Sequence, residues 1–392
     1  MNEVDIAIVG AGLVGTPLAQ VLSRQGWSVA LLDAGVQRSS DTAADPAHAR
    51  MNERCTAVSL GTQRWFADNE LWSSIAPDAC AIKQVHVSHK GYFGSTRLNA
   101  NELAADAVGY VVSNAYLNQA LVQNLETTDV NHLYDARVSA VNYVDDHVQI
   151  QHAQGTVIAK LLIAADGVSS LVRDCAGIDT RQVDYDQVAL LGTVKLKQSH
   201  KHIAYERFTP SGPLALLPRP GPYMSFVDCI DPHEAQLIES LDDEQYRQRL
   251  QKRFGYRLGE FDAVGPRFST PLIRIEACEQ VAPRTVLLGN AMRLLHPVGG
   301  QGYNLALRDV AQLQRNLETV VGSDAGDTGL LTRFAEQRQA DQNRVVRFSD
   351  YLARGFRGHS SLPAHVRALG LLSLDTVSPL RERFARQTMG LS

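Results

Sequence analysis

Short apolar runs recur along the chain and alternate with segments of helical periodicity. They lie at residues 5–9, 28–32, 161–165 and 284–288. Runs of this length are typical of strands buried on both faces of a parallel sheet. Residues 16–24 join the first two runs and carry their apolar side chains on one side, which predicts a connecting helix. The pattern therefore predicts an α/β fold around a buried parallel sheet.

Alternating apolar and polar positions predict two further groups of strands. Three short strands between residues 138 and 160 are divided by polar turns, which is typical of a β-meander. Short strands then repeat from residue 187 to about residue 268, and one helix over 243–254 interrupts them. We predict strands there at 188–196, 202–208, 214–217 and 224–227. This second group predicts an antiparallel sheet that forms a separate domain.

Helical periodicity marks most of the remaining chain. We predict helices at 54–72, 114–125, 168–175, from 302 onward to 320, and at 331–352. Residues 82–89 alternate as a strand that returns through 96–98. The polar stretch 35–50 predicts a loop, and residues 362–392 have amphipathic character.

The first glycine cluster has the spacing of a dinucleotide-binding turn. Gly10, Gly12 and Gly15 lie between a predicted strand and a predicted helix, and Asp33 ends the next strand. This arrangement permits a tight turn, close approach of a pyrophosphate to the backbone, and close packing of helix on strand. The aspartate can accept hydrogen bonds from a ribose diol. The motif predicts a dinucleotide and leaves NAD and FAD both open.

Composition narrows the class of protein. The 392 residues are 44% hydrophobic and 20% charged with a net charge of −4, which suggests a globular protein of two or three domains and no nucleic-acid partner. No apolar run is long enough to cross a bilayer, and we expect no secretory signal. The five cysteines contain no Cys-x-x-Cys pair, so we expect no metal site and reduced thiols in a cytoplasmic protein.

Polar, glycine-rich segments follow three of the predicted buried strands. They lie at 10–15, at Asp166-Gly167 and at 289–304. Since parallel strand ends meet at one sheet edge, these segments are expected to form one ligand site. The helix after the last segment could stabilise a developing anion with its N–H groups. A simple turn at Asp166-Gly167 and a flexible loop at 299–302 are the alternatives.

Three ordered motifs resemble those of the single-component FAD-dependent aromatic hydroxylases. They are Gly10-x-Gly12-x-x-Gly15, then Asp166-Gly167-x-x-Ser170-x-x-Arg173, then Gly289-Asn290-Ala291 with His296-Pro297-x-x-Gly300-Gln301-Gly302-x-Asn304. Within that class the chain looks most like the ubiquinone-biosynthesis hydroxylases of the 2-octaprenyl-6-methoxyphenol hydroxylase subfamily. The segments similar to that subfamily are 54–61, 109–112, 206–209, 212–218 and 254–259.

The resemblance implies a para-hydroxybenzoate hydroxylase-like fold. A Rossmann-like FAD domain with a β-meander would comprise 1–80, 103–182 and 280–350. An antiparallel substrate-binding sheet domain would comprise 81–102 and 183–279, and a helical segment would comprise 351–392.

The resemblance also implies which residues bind the cofactor. Those expected to bind FAD are Gly10, Gly12, Gly15, Asp33, Arg54, Asp166, Gly167, Asn290, Gly299, Gly300, Gln301, Gly302 and Asn304. Arg54 would lie near the FAD phosphates or the incoming nicotinamide nucleotide. Most of the wider class has aspartate where this chain has Asn290, and an amide can still accept a ribityl hydroxyl. Arg293 also departs from the common residue of the class, which leaves its role open.

The activity implied is hydroxylation of a 2-polyprenyl-6-methoxyphenol para to its hydroxyl, with NAD(P)H and O₂ as co-substrates. The phenol should react best as phenolate, so a group that takes its proton is expected. Candidates are His296, the Pro297 carbonyl, Tyr205 and Tyr223. A structural role before proline is the simpler interpretation of His296, and the two tyrosines are simply explained as sheet residues.

Other functions remain open at this point. The chain could hydroxylate another ring position in the same pathway, act as a flavin oxidoreductase without hydroxylation, or serve as a non-catalytic FAD-binding scaffold. The amphipathic tail 362–392 could dock on a membrane or on a ubiquinone-synthesis complex, or pack on the protein itself. Since a prenylated substrate is insoluble in water, we expect some peripheral membrane or complex contact.

Overall fold

The computed structural model describes residues 2–35, 50–91, 95–355 and 389–390. The predicted loop 35–50 therefore lies mostly outside the described residues. The amphipathic tail 362–392 also lies outside them, apart from residues 389–390.

The opening segment folds as the pattern predicts. Strand β1 (Asn2–Val9) leads into helix α1 (Gly15–Arg24), and strand β2 (Val29–Leu32) runs parallel to β1. Side chains of β1 are buried on both faces, since Ile6 and Ile8 enter one hydrophobic core and Ala7 and Val9 enter another. This burial explains why the strand is apolar without alternation.

The first sheet has eight strands in the order β18-β19-β11-β1-β2-β8, and β9 and β10 extend it from β11. Its further strands are β8 (Asn131–Leu133), β9 (Val138–Tyr143), β10 (Val148–His152), β11 (Gly155–Ala164), β18 (Val281–Ala282) and β19 (Thr285–Leu287). The sequence predicted separate strands at 156–160 and 161–165, and this was wrong. They form the single strand β11, which pairs antiparallel with β10 and parallel with β1.

The second sheet has nine strands in the order β20-β17-β12-β15-β14-β13-β5-β6, and β16 pairs with β12. Its strands are β5 (Gln84–His89), β6 (Ser95–Asn99), β12 (Thr180–Leu196), β13 (Ile203–Thr209), β14 (Gly212–Pro218), β15 (Tyr223–Ile230), β16 (Phe261–Val264), β17 (Phe268–Ala277) and β20 (Arg293–Leu294). Neighbouring strands pair antiparallel, except that β13 runs parallel to β5. The sequence did not predict β17, because Pro271 interrupts its apolar pattern.

The predicted helix 54–72 was wrong in its first part, which is a strand of a three-stranded sheet. Strand β3 (Cys55–Ser59) and strand β4 (Cys80–Ile82) both pair with β7 (Gly109–Ser113). Helix α2 (Leu60–Asp68) begins only after β3, where the Ser59 hydroxyl accepts a hydrogen bond from the Thr62 N–H. The apolar residues of this segment have helical spacing, but pairing with β7 makes it a strand, since tertiary contacts often override local propensity.

The remaining helices cover the sheets. They are α3 (Trp72–Ile75), α4 (Asn114–Leu125), α5 (Leu171–Cys175), α6 (Pro232–Glu239), α7 (Asp243–Phe254), α8 (Gln301–Glu318) and α9 (Thr328–Gly355). Helix α5 is shorter than the predicted 168–175 because Ser170 caps it. Helices α1, α4 and α8 pack their apolar sides against the first sheet, and α7 packs against the second.

Two general expectations bear on the fold. Among the described residues, no helix combines the length and apolar character needed to cross a membrane. The five cysteines are free thiols, although those at 175 and 278 are exposed rather than buried. The division into domains stays a prediction, since the sheets show only which strands pair.

Candidate active site

Three strand ends meet at one edge of the first sheet, as the sequence predicts. Val9 lies opposite Ala164, and Ala164 lies opposite Leu287. Backbone hydrogen bonds continue past this row, from the Ala165 N–H to the Val9 carbonyl at 2.8 Å and from the Leu288 N–H to the Ala164 carbonyl at 2.9 Å. The three glycine-rich segments therefore leave the sheet side by side.

The first glycine loop leaves open backbone where a ligand would approach. Gly10 has a φ of +105°, and a Cβ there would lie 2.4 Å from the Ala165 carbonyl oxygen. A Cβ on Gly15 would lie 2.0 Å from the Gly10 carbonyl oxygen, so this glycine allows helix and strand to pack. A Cβ on Gly12 would meet nothing within 4 Å. Only Gly12 thus faces open space, which is where a pyrophosphate needs bare backbone.

Asp33 lies at the end of β2, beside this loop. Its backbone N–H donates to the Leu133 carbonyl at 2.9 Å, and its carboxylate accepts from the Gly35 N–H at 3.0 Å. One carboxylate oxygen thereby fixes the side chain. The other oxygen is suited to accept from a ribose hydroxyl.

Arg173 joins the second and third segments. Its buried guanidinium donates to the Val168 carbonyl at 3.0 Å and to the Ala291 carbonyl at 3.1 Å. The Ser170 hydroxyl accepts from the Arg173 N–H at 3.0 Å and caps α5. The serine and arginine of this motif therefore hold the strand-end loops together.

Asp166 lies between these loops with one oxygen uncommitted. Its Oδ2 accepts from the Val172 N–H at 3.4 Å, whereas no donor among the described residues reaches its buried Oδ1. Burial raises the pKa of the Asp166 carboxyl above its usual value, and hydrogen bonds oppose that rise. A buried acceptor without a partner in the protein is suited to a ligand hydroxyl.

The third segment forms a tight glycine turn before α8. Gly299 and Gly300 both have left-handed backbone, with φ of +70° and +61°, and the Gly300 N–H donates to the Pro297 carbonyl at 3.0 Å. Helix α8 starts at Gln301, so its free N–H groups and positive dipole end lie at this turn. Gln301 donates to the Gly299 carbonyl at 3.1 Å.

Asn304 fastens this turn to β3 and α2. Its amide donates to the Ala57 and Gly300 carbonyls, both at 2.8 Å. Its Oδ1 accepts from the Ser59 N–H at 2.7 Å and from the Thr62 hydroxyl at 2.9 Å. The side chain is satisfied within the protein, so it positions the turn. Direct contact between Asn304 and a cofactor stays a prediction.

Replacing this side chain tests the positioning role. Asn304→Ala is expected to lower the free energy of unfolding by about 2–4 kcal/mol, because it leaves several buried backbone groups without partners. Chemical denaturation of the apoprotein measures the change. Glu318→Ala, on the exposed side of the same helix, is the control and should leave stability unchanged. Equal stability of the two variants would contradict the role.

A largely apolar cavity of about 480 Å³ adjoins the glycine turn. Its lining includes one wall formed by the second sheet and another formed by the 297–301 turn. The sheet contributes Val85, Val87, Thr96, Leu98, Ala204, Tyr205, Glu206, Phe208, Ala215, Leu217 and Val227. Helix α9 adds Phe348, Tyr351 and Leu352. Strand β14 therefore contributes one face to the cavity, since Ala215 and Leu217 line it while Leu214 and Leu216 belong to the core behind it.

Glu206 is the functional candidate that sequence reasoning missed. It lines the cavity from β13, and the Gly299 N–H donates a hydrogen bond to its carboxylate. Burial raises the pKa of the Glu206 carboxyl to about 7, against the effect of that hydrogen bond. A weak signal was available, because the alternate neighbours of Glu206 on β13, Ala204 and Phe208, are both apolar.

The proton-acceptor candidates lie in different surroundings. His296 is 1% exposed, outside the cavity lining, and its Nδ1 accepts from the Val298 N–H at 3.2 Å. Tyr205 packs edge-on against Phe254, and burial raises the pKa of its phenol. Tyr223 lies outside the cavity lining, whereas Tyr205 and Pro297 contribute to it. These surroundings favour the structural interpretation of His296.

Three further residues singled out from the sequence lie outside the cavity lining. Arg54 is exposed and its guanidinium lies 5.0 Å from the centre of the Phe268 ring. Asn290 is exposed in the turn that follows β19. Arg293 is buried in an ion pair with Glu276 at 3.0 Å, which gives it a structural role between β20 and β17.

Comparisons with known proteins agree with this geometry. The family described as FAD binding domain matches residues 3–349. The chain is 35% identical to the ubiquinone hydroxylase UbiL of Rhodospirillum rubrum, over 98% of this chain and 89% of that protein. It is 29% identical to the 3-demethoxyubiquinol 3-hydroxylase of Escherichia coli, over 99% and 98%.

A solved structure supports the fold. The p-nitrophenol 4-monooxygenase PnpA of Pseudomonas putida superposes with a TM-score of 0.78 at 17% identity, over 99% of both chains. The open backbone at Gly12 and the unpartnered Asp166 oxygen both fit FAD. The chain therefore belongs to the FAD-binding-domain family and is an FAD-dependent aromatic monooxygenase of the group that includes the ubiquinone-biosynthesis hydroxylases.

Proposed function

We propose that the protein uses FAD, NAD(P)H and O₂ to hydroxylate a 2-polyprenyl-6-methoxyphenol para to its hydroxyl, in ubiquinone biosynthesis. The observation that supports this most is the apolar cavity of about 480 Å³ beside the glycine turn. Its sheet wall suits a phenol with an alkyl substituent. Its other wall lies where the flavin ring is expected.

We propose the following roles along the strand ends. Gly10, Gly12 and Gly15 accommodate the FAD pyrophosphate, and Asp33 binds the adenosine ribose. Asp166 with Gly167, and Asn290, contact the cofactor from the neighbouring loops. Gly299, Gly300, Gln301 and Gly302 face the flavin pyrimidine ring, with Asn304 beneath them. When bound, FAD supplies electron transfer from NAD(P)H and activation of O₂.

Arg54 is proposed to meet the cofactor phosphates or the nicotinamide nucleotide. Its exposed guanidinium and its contact with Phe268 leave it accessible to an anionic group. Because both rings and phosphates attract a guanidinium, Arg54 could move between them during binding.

The names of the relatives support the pathway and raise a second candidate position on the ring. UbiL is named a ubiquinone hydroxylase, and the relative from Escherichia coli is named for hydroxylation at ring position 3. That second name favours hydroxylation of a later ubiquinone precursor at another carbon. Family membership favours either enzyme over a non-catalytic scaffold.

Complementation distinguishes these functions. Strains blocked at single ring hydroxylations of ubiquinone synthesis are given this chain, and their quinones and precursors are identified by mass spectrometry. Restored ubiquinone only in the strain that accumulates a 2-polyprenyl-6-methoxyphenol supports the proposal. Rescue only of the strain blocked at the 3-hydroxylation supports the second candidate.

We also propose that the protein meets its substrate at a membrane surface or within a ubiquinone-synthesis complex. Tyr351 of α9 lines the cavity and is 60% exposed, which supports an entrance to the cavity beside this helix. Flotation with lipid vesicles containing the prenylated phenol tests this association. A protein that stays in the lipid-free fractions would contradict it.

A further inference from the structure

One carboxylate enters the apolar cavity. Along β13, Ala204, Glu206 and Phe208 face the cavity, as alternate residues of a strand must. Among the described residues that line the cavity, Glu206 is the only acid, and none is arginine, lysine or histidine. A carboxylate without a cation is costly in an apolar wall, so its position calls for a functional explanation.

The hydrogen bond from Gly299 places the Glu206 carboxylate beside the glycine turn. The Gly299 N–H donates to Glu206, and the same turn continues into α8 through Gln301. Glu206 therefore lies where the sheet wall and the turn meet. A phenol ring held between sheet and turn would have its polar groups within reach of this carboxylate.

The surroundings of the Glu206 carboxyl bring its pKa close to physiological pH, so the neutral and ionised forms are both populated. Burial raises its pKa to about 7. Cys229 of β15 is close enough to Glu206 for their charges to interact. Burial raises the pKa of the Cys229 thiol well above its usual value, so the thiol stays neutral. Tyr351 of α9 also lines the cavity. A base with this pKa can take a proton and return it.

We propose that Glu206 is the catalytic residue that accepts the proton of the phenolic substrate and thereby makes the ring reactive. This inference rests on the proposed function, because it takes a phenol as the substrate. Of the earlier candidates, Tyr205 and Pro297 also line the cavity, but Glu206 is the one carboxylate among the described lining residues and therefore the strongest proton acceptor there.

The proposed step balances protons and electrons. The phenolic O–H bond breaks, and the proton passes to a Glu206 oxygen. The electron pair of that bond stays on the phenol oxygen and raises electron density at the para carbon. One atom of O₂ bonds to that carbon as a hydroxyl, and the C–H bond there breaks with loss of its proton to solvent as the ring regains aromaticity. The other oxygen atom leaves as water, and NAD(P)H supplies the two electrons with its hydride while solvent supplies the remaining protons. Glu206 then returns its proton to the product oxygen.

Kinetics of matched variants test the proposal on the FAD-loaded protein. Glu206→Gln is expected to lower kcat by about 100-fold, which is the lower end of the effect of general acid–base groups. Wild-type kcat should rise with pH through about 7, since the acceptor must be ionised. In Glu206→Gln that rise should disappear and be replaced by one near the pKa of the phenol itself, about 10.

Two further variants separate a catalytic role from a structural one. Glu206→Asp should recover part of kcat together with a pH-dependent rise near neutrality. Glu260→Gln removes an exposed carboxylate that pairs with Lys197 at 2.6 Å on the same sheet, and it should behave as wild type. A Glu206→Gln protein with wild-type kcat and pH profile would overturn the proposal. If that variant fails to bind FAD, an Asp variant with unaltered kcat and unaltered pH profile would overturn it.

Binding of 4-nitrophenol gives a readout that needs no turnover. Above neutral pH the Glu206 carboxylate and the nitrophenolate are both negatively charged, and burying both charges together in the cavity is unfavourable. Binding of nitrophenolate to the wild type should therefore be accompanied by uptake of about one proton on Glu206, while the bound probe keeps its nitrophenolate absorbance. Glu206→Gln should show the absorbance without proton uptake, or uptake with loss of the absorbance. Identical behaviour of both proteins would overturn the role of Glu206. Wild type that forms no hydroxylated phenol would instead refute the proposed function alone.

Discussion

Gly12→Val is expected to weaken FAD binding by about 1000-fold, or about 4 kcal/mol, without destabilising the apoprotein. A Cβ at this position meets no protein atom within 4 Å, so the valine side chain has room in the protein itself. It would occupy the space through which a pyrophosphate must approach the backbone N–H groups. Titration of the apoprotein with FAD, followed by flavin fluorescence, measures the affinity.

Gly15→Val is the matched control for this variant. Its Cβ would lie 2.0 Å from the Gly10 carbonyl oxygen, so the apoprotein itself should lose stability. The two variants should therefore differ in the melting temperature of the apoprotein, which stays near wild type only for Gly12→Val. Wild-type affinity for FAD in Gly12→Val would show that the pyrophosphate lies elsewhere.

Ala215→Trp is expected to lower kcat/KM for a prenylated phenol by about 100-fold, or about 2.7 kcal/mol. Ala215 projects from β14 into the cavity, and an indole there would occupy a large share of its 480 Å³. FAD content and the slow oxidation of NAD(P)H without phenol should stay at wild-type values, because the strand-end loops are untouched. Steady-state assays with O₂ and product detection measure both rates.

Asn142→Trp introduces the same side chain at an exposed position of β9, on the other sheet. It should retain wild-type kcat/KM and so control for the general effect of a surface indole. Wild-type kcat/KM in Ala215→Trp would mean that the phenol does not bind in this cavity.

The chemistry-bearing part of the fold was predictable because local signals agree with tertiary structure there. The glycine spacing, the buried apolar runs and the helical periodicity around the first sheet all require the same arrangement. The meeting of the three strand ends followed from the geometry of parallel sheets. The resemblance added the cofactor and the class of reaction, which spacing alone could not provide.

The errors arose where long-range pairing decides the structure. Cys55–Ser59 has helical spacing of its apolar residues, yet pairing with β7 makes it a strand. Residues 155–164 form one strand because β10 and β1 both pair with it. No local pattern contains such partners. Strand β3 also places Ser59 and Ala57 against Asn304, so the support of the glycine turn could not be foreseen.

Glu206 was overlooked for a different reason. A glutamate within a sheet is normally explained as a solvent-facing residue, and the tyrosine and arginine beside it favour that interpretation. Only the structure shows that the apolar face of β13 is the one containing Glu206, and that this face lines a cavity. An acid at an apolar position of a strand is therefore a useful signal for a catalytic site.

Isotope incorporation tests the central claim most directly. The purified FAD-loaded protein is given NAD(P)H, ¹⁸O₂ and a 2-polyprenyl-6-methoxyphenol, and the product is analysed by mass spectrometry and NMR. The account predicts a single ¹⁸O atom on the ring carbon para to the phenolic hydroxyl. Oxidation of NAD(P)H without ¹⁸O in the product, or ¹⁸O at another ring carbon, would contradict it.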